Sequence, residues 1–183
     1  TFITFIFLLL FLLSSSIASA ATTLLHEFAG GGDDGRDPFG SLIQDGSALY
    51  GMTLDGGDSN VGTIFSIQTD GTGFTLLHEF AGWPDDGRDP YGNLIQDGST
   101  LYGMTSTGGD SIAGTIFSIQ TDGSGFSLLH EFAGGGDDGR DPLGSLIQDD
   151  STLYGMTRFG GDSDVGTIFS IQTDGSGFSL LHE

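Results

Sequence analysis

Carboxylates are the most concentrated chemistry in this chain. Three loops read Asp-Asp-Gly-Arg-Asp, placing Asp33, Asp34 and Asp37, then Asp85, Asp86 and Asp89, then Asp137, Asp138 and Asp141 close together. Carboxylates gathered on a glycine-permitted turn suit a hard cation such as Ca²⁺, which takes roughly 6–8 oxygen ligands. These nine are the candidate metal ligands, and Ca²⁺ is the one cofactor the sequence suggests. The order is not that of an EF-hand loop and lacks its distal glutamate. Arg36, Arg88 and Arg140 inside the loops offer the carboxylates ion-pair partners instead. Aspartate also favours turns because it bonds nearby backbone. The loop therefore reads as either a structural turn or a cation site.

Three other sets carry polar chemistry. Asp58, Asp110 and Asp162 stand in Gly-Gly-Asp-Ser, and Asp70, Asp122 and Asp174 in Thr-Asp-Gly; both read as turns. His26-Glu27 and its copies invite a metal or acid–base reading. Neighbours on a strand point to opposite faces, so each His and Glu is expected to be satisfied separately within the fold. Trp83 is the one tryptophan, followed by Pro84 in a loop, and is the candidate ligand-binding residue, by stacking on a sugar ring. No nucleophile–base–acid set, phosphate loop or Cys/His metal spacing occurs.

The elements that must position these residues are set by a repeat. His26, His78, His130 and His182 recur every 52 residues, as do Arg36, Arg88 and Arg140. Three units run over about 37–82, 89–134 and 141–183, with a leading copy of the last piece at 22–30. Each unit holds four short β segments: Gly40 to Gln44, Ala48 to Thr53, Thr63 to Gln68 and Phe74 to Phe80. Asp45-Gly46-Ser47 and Asp70-Gly71-Thr72-Gly73 are tight turns, since glycine tolerates positive φ. No helical stripe appears after residue 20. The expected fold is all-β, with tandem four-stranded antiparallel units resembling propeller blades, because one such sheet cannot bury both faces alone. A β-solenoid or an open stack of sheets is the alternative. Three units do not close a ring of roughly 4–8 blades. The chain is therefore expected to be a fragment of a longer frame, or to self-associate.

Composition narrows the partners. Four Arg and no Lys face 25 Asp and Glu, a net charge of −21, which repels phosphate backbones and argues against nucleic acid. There is no cysteine. Residues Phe2 to Leu13 are almost wholly apolar, and Ala18-Ser19-Ala20 follows. That is the core and cleavage site of a secretory signal peptide over residues 1–20, cut after about Ala20. The apolar run is shorter than the roughly 20 residues of a spanning helix, so no membrane span is expected in the mature chain. A secreted or cell-surface location follows as an expectation.

In order, Leu49–Thr53 (Leu-Tyr-Gly-Met-Thr), Gly56-Gly57, Gly62–Ile67 (Gly-Thr-Ile-Phe-Ser-Ile) and Leu76–Phe80 (Leu-Leu-His-Glu-Phe) resemble the GloVer tandem repeats of bacterial choice-of-anchor exported proteins. The resemblance covers the whole chain after the apolar segment. It implies an exported, surface-anchored protein with several such repeats and a C-terminal sorting signal. Met52, Met104 and Met156 stand where that pattern usually has Thr. It supplies no catalytic residues. The expected function is a non-enzymatic structural, adhesive or ligand-binding role at the cell surface, toward a glycan or protein or toward other copies. The alternatives are a propeller enzyme acting on extracellular polysaccharide, and a Ca²⁺-stabilised filament subunit.

Overall fold

The computed structural model describes residues 22–182; the expected signal peptide lies outside them. Strand follows strand, with no helix among the described residues. The first unit contains Gly35–Pro38 (β1), Ile43–Asp45 (β2), Ala48–Gly56 (β3), Thr63–Gln68 (β4) and Thr75–Glu79 (β5). The second repeats this as Gly87–Pro90 (β6), Ile95–Asp97 (β7), Thr100–Gly108 (β8), Thr115–Gln120 (β9) and Ser127–Glu131 (β10). The third has Gly139–Arg140 (β11), Ile147–Asp149 (β12), Thr152–Thr157 (β13), Phe159–Gly160 (β14), Thr167–Gln172 (β15) and Ser179–His182 (β16). All pairings are antiparallel.

The edge of each sheet differs from the expected single strand at 40–44. Both β1 and β2 pair with one side of β3, Pro38 opposite Thr53 and Ile43 opposite Tyr50. Four residues, 39–42, bulge out between them. The break has a backbone cause: Asp37 (φ 54°) and Gly40 (φ 93°) turn the chain out of extended geometry. The Asp-rich loop thus ends inside a strand, Gly35–Pro38. In the third unit the long central strand is also interrupted. Arg158 falls between β13 and β14, and its N–H bonds Asp141.

The pattern Thr-Ile-Phe-Ser-Ile is that of a strand buried on both faces. Met52 opposes Ile64 on one face, while Gly51 opposes Phe65 on the other. Gly51 is obligatory there, since a Cβ would lie 2.6 Å from the Phe65 ring. Sheets then stack face to face. Tyr50, Met52 and Ile64 of the first unit bury against Leu101, Phe117 and Ile119 of the second. The second and third units repeat the interface with Tyr102, Met104 and Ile116 against Leu153, Phe169 and Ile171. Each fully buried side chain of this size contributes about 1.5–3 kcal/mol, which makes the boundary between units the core of the molecule.

The stack fans about one edge. The Ser41 N–H donates to Asn93 Oδ1 (2.5 Å) and the Asn93 N–H to Ser145 Oγ (2.8 Å). Gln96 donates to the Asp45 carboxylate (3.0 Å) and Gln148 to Asp97 (2.9 Å). Residues 51 or 52 apart, one repeat or one short of it, meet at this edge, so the β2, β7 and β12 edge is the inner one. Strand β5 and its copies lie outermost. The leading segment Leu24–Gly30 lies over the first unit as β5 lies over the second, with His26 stacked on Phe74, but it joins no ladder.

Candidate functional site

The three Asp-rich loops resolve into three different roles. Asp33, Asp85 and Asp137 are exposed. The second Asp turns inward. Asp86 accepts the His78 ring Nε2 contact at 3.0 Å, the Ala81 N–H at 2.9 Å and the Gly87 N–H at 2.6 Å. Asp34 does the same with His26 (3.1 Å), Ala29 and Gly35, and Asp138 with His130 (3.2 Å), Ala133 and Gly139. Burial pushes the Asp138 carboxyl up, but the bonds from His130 and the two backbone N–H groups outweigh it and hold it below the ordinary carboxylate value. Asp34 is lowered in the same way, with the Ala29 N–H the largest of the lowering bonds. The third Asp is a conformational residue: Asp37, Asp89 and Asp141 all sit at φ near +54°, where aspartate is among the few tolerated side chains. Each also neighbours an Arg in sequence, and Arg36–Asp37 and Arg88–Asp89 pair at 3.5 and 3.2 Å.

The His of each clasp is held from its flat side as well. His78 stacks on Phe126 with centroids 3.6 Å apart, and its edge meets Phe80. His78 belongs to the outer strand of one sheet and Phe126 to the next sheet, so the clasp fastens the crossover between units. Glu79 points elsewhere, as alternation requires, and accepts the Asp58 N–H at 2.8 Å; Glu131 does the same for Asp110. Asp70, Asp122 and Asp174 each accept an N–H and a hydroxyl from the Thr or Ser two residues on, which lowers their pKa. Among the described residues, no group of three or more His, Asp or Glu side chains is arranged to hold a metal ion.

Six of the twelve positions at which the units differ lie at one end of the sheets, including those that bring in Trp83, Arg158 and Phe159. Gly57 donates to the Gly31 and Asp34 carbonyls (3.1 and 3.0 Å), and Arg36 pairs with Asp55 across the ladder. The loop at 31–34, the strand end at 54–55 and the turn at 57–62 therefore form one rim. On it Gly31-Gly32 becomes Trp83-Pro84 and then Gly135-Gly136. Leu54-Asp55 becomes Ser106-Thr107 and then Arg158-Phe159, and Asn60-Val61 becomes Ile112-Ala113 and then Asp164-Val165. Trp83 donates its Nε1–H to the Asp110 carbonyl (3.3 Å) and is 63% exposed. Ile112 and Val165 are exposed at equivalent turns of the same rim. On the third unit Phe159 lies between the Arg140 and Arg158 guanidinium groups, each 4.8 Å from its centroid. Arg140 also forks onto Asp164 (2.8 and 3.1 Å).

A family model for the Gloeobacter/Verrucomicrobia repeat matches residues 10–183. The chain belongs to that repeat family. No curated protein sequence matches it. Among solved structures it is similar to a chain of the nidogen/laminin complex, with 19% identity and a TM-score of 0.51, over 81% of this chain and 48% of that one. It is also similar to a putative TolB from Agrobacterium tumefaciens, with 14% identity and a TM-score of 0.51, over 86% of this chain and 50% of that one. The repeat chain thus spans about half the length of those it resembles. At these identities the likeness concerns the fold alone: sheets stacked as propeller blades, here without closure.

Inspection of residue types does not reveal the His–Asp clasp. Its signal was present as a fixed spacing of eight, His26 to Asp34, His78 to Asp86 and His130 to Asp138. A spacing of eight marks contact on neither a strand nor a hairpin. It becomes a contact only because the chain reverses between the outer edge of one sheet and the inner edge of the next.

Proposed function

We propose that this member of the repeat family is an exported, non-enzymatic scaffold at the cell surface that binds through its variable rim. The observation that carries this is the character of the change on the rim: where loops 31–34, 54–55 and 57–62 meet, a glycine pair gives way to Trp83-Pro84 and a Leu-Asp pair to Arg158-Phe159, while the side chains with catalytic potential are repeated threefold and spent in structural bonds. Loops held by a rigid scaffold are where binding residues concentrate. Trp83, fixed at its edge by Asp110, presents a flat apolar face suited to the C–H face of a sugar ring. Arg158 and Phe159 add a cationic and aromatic surface one unit away. Export rests on the apolar run Phe2–Leu13 and the small-residue site Ala18–Ala20, and anchorage on the likeness to choice-of-anchor proteins.

The test is a glycan and peptide array probed with the chain and with a variant whose rim is made uniform by W83G, P84G, R158L and F159D. The expected result is binding by the native chain, lost in the uniform variant, with thermal stability unchanged. Equal binding by both would remove the rim from the function. Turnover of a polysaccharide, abolished by one substitution, would replace the scaffold with an enzyme.

A further inference from the structure

The rim of the second unit, which has a sheet on either side of it, differs from its neighbours by more than an added indole. On the first and third units a glycine faces a carboxylate: a Cβ at Gly32 or Gly136 would meet Asp58 Oδ1 or Asp162 Oδ1. On the second unit that position is Pro84, so the corresponding carboxylate, Asp110, has no glycine to lie against. Asp110 is exposed. Its backbone is held from both sides: its N–H donates to Glu131 at 2.8 Å, and its carbonyl accepts the Trp83 Nε1–H at 3.3 Å. The Trp-Pro pair thus sets a ring that is fixed at its edge and 63% exposed next to an outward-facing acidic turn.

Charge around this ring is one-sided. Asp85 follows Pro84 directly and is exposed, as Asp110 is. Among the described residues neither carboxylate accepts a hydrogen bond or meets a cation. Arg88 is the one Lys or Arg between residues 83 and 134, and Asp89 takes it, Nε to Oδ2 at 3.2 Å. A ligand reaching Trp83 therefore meets the negative face of an indole and two carboxylates that still have all their acceptor capacity. The ring attracts a cation through its quadrupole, and the carboxylates accept charged N–H donors.

Resting on the reading of the rim as a binding surface, we propose that the ligand of Trp83 is a cationic amino sugar, a glucosamine-type residue of a deacetylated polymer. Its C–H face lies on the indole, and its ammonium donates to Asp85 or Asp110. Uronates and sulfated sugars carry the sign that these carboxylates repel. A neutral or N-acetylated sugar keeps the stack and loses the charge. The guanidinium of an arginine-rich peptide also offers a flat face and a positive charge, but it ends a flexible stem whose rotamer freedom is lost on binding. A pyranose ring brings face and charge together in a rigid frame.

Titration of the 183-residue chain below neutral pH, where the amines are protonated, tests this. The probes are a glucosamine oligomer, its N-acetylated counterpart, a galacturonate oligomer and an oligo-arginine peptide. Binding is read by the emission of the single tryptophan and by calorimetry. The expected result is a shift in emission with the glucosamine oligomer, at an affinity about tenfold above that of the acetylated one, and none with the galacturonate. The preference is expected to vanish in about 1 M salt, where charges are screened beyond about 3 Å, and in D85N/D110N. Calorimetry is expected to show no binding of the amino sugar to W83G. Equal affinity for the two glucosamine oligomers overturns the cationic class and leaves the rim as a binding surface. Binding that W83G retains, or a preference that D85N/D110N keeps, puts the sugar elsewhere on the acidic chain and overturns the site. Tighter binding of the oligo-arginine peptide than of the amino sugar replaces the sugar with a peptide. If no probe binds, the amino-sugar proposal falls, while loss or retention of array binding in the uniform-rim variant decides the wider role of the rim separately.

Discussion

The two ends of each sheet obey different rules. At the hairpin end, Ser47 and Thr69 are joined by a backbone bond of 2.8 Å, and Ser47 Oγ reaches Gln68. Gln44 donates to the Gly46 carbonyl, and Asp70 collects the Thr72 N–H and hydroxyl. Changes there preserve the bond: Thr72 becomes Ser124 and Ser176, which donate to the same carboxylate position at 2.6 Å. At the opposite rim a glycine pair becomes Trp-Pro, and Leu-Asp becomes Arg-Phe. The difference follows from what each side chain touches. Hairpin residues bind their own sheet or the next one, so replacement breaks a defined partner. Rim residues project beyond the clasp and are free to differ once the second Asp of each loop has secured the crossover.

The sharpest way to break the comparison is to remove a side chain from the boundary between sheets. Phe117 is fully buried, lies 5.4 Å from the Phe80 ring and 5.7 Å from the Phe126 ring, and packs in the core shared by the first and second units. F117A is expected to cost about 3–5 kcal/mol, read as a lowered denaturation midpoint. A loss below about 1 kcal/mol would show that the sheets are held by their loops instead of their faces.

Next in size is a contrast between adjacent residues. D86A leaves the Ala81 N–H, the buried Gly87 N–H and the His78 ring without an acceptor, and is expected to cost about 2–3 kcal/mol. D85A, one residue earlier and exposed, is expected to stay within about 0.5 kcal/mol. Equal effects in chemical denaturation would dissolve the distinction between clasp and rim. Acid probes the same clasp without mutation. Asp34 and Asp138 have folded pKa values below their ordinary ones. Their contribution is therefore fully present above the unfolded carboxylate value and lost as pH falls through the lower, folded value. The melting temperature is expected to drop on acidification through and below the ordinary carboxylate range, and less steeply in D34N/D138N.

Much of this was legible in the sequence because the period of 52 repeats every cue three times. The second, third and fourth strands stand where Leu-Tyr-Gly, Thr-Ile-Phe and Leu-Leu-His predict them. In Thr63–Gln68, Ile64 and Ile67 do not alternate cleanly although Phe65 and Ile67 do, and the strand is buried on both faces. The split inner edge was hidden. It depends on Asp37 adopting positive φ, which Asp-Pro does not announce, and on β1 pairing with the far end of β3. The nine loop carboxylates look equivalent in sequence and diverge only in space, because a turn buries the second, exposes the first and twists the third.

The smallest expected effects lie on the rim. EDTA is expected to leave the melting temperature unchanged, since the clasp occupies Asp34, Asp86 and Asp138 with protein donors; a fall would mean that a bound cation stabilises the native chain. W83G restores the residue found at the equivalent positions of the other two units. Trp83 is exposed and contributes one hydrogen bond to the Asp110 carbonyl, at 3.3 Å, so the change is expected to stay within about 0.5 kcal/mol. Because Trp83 is the only tryptophan, its emission in the native chain reports on that rim alone. Quenching by acrylamide is expected to be nearly as efficient folded as unfolded, and to weaken when a ligand covers the ring. Protection in the free chain would instead place the indole inside the fold, and with it remove the flat exposed face on which the rim's binding role depends.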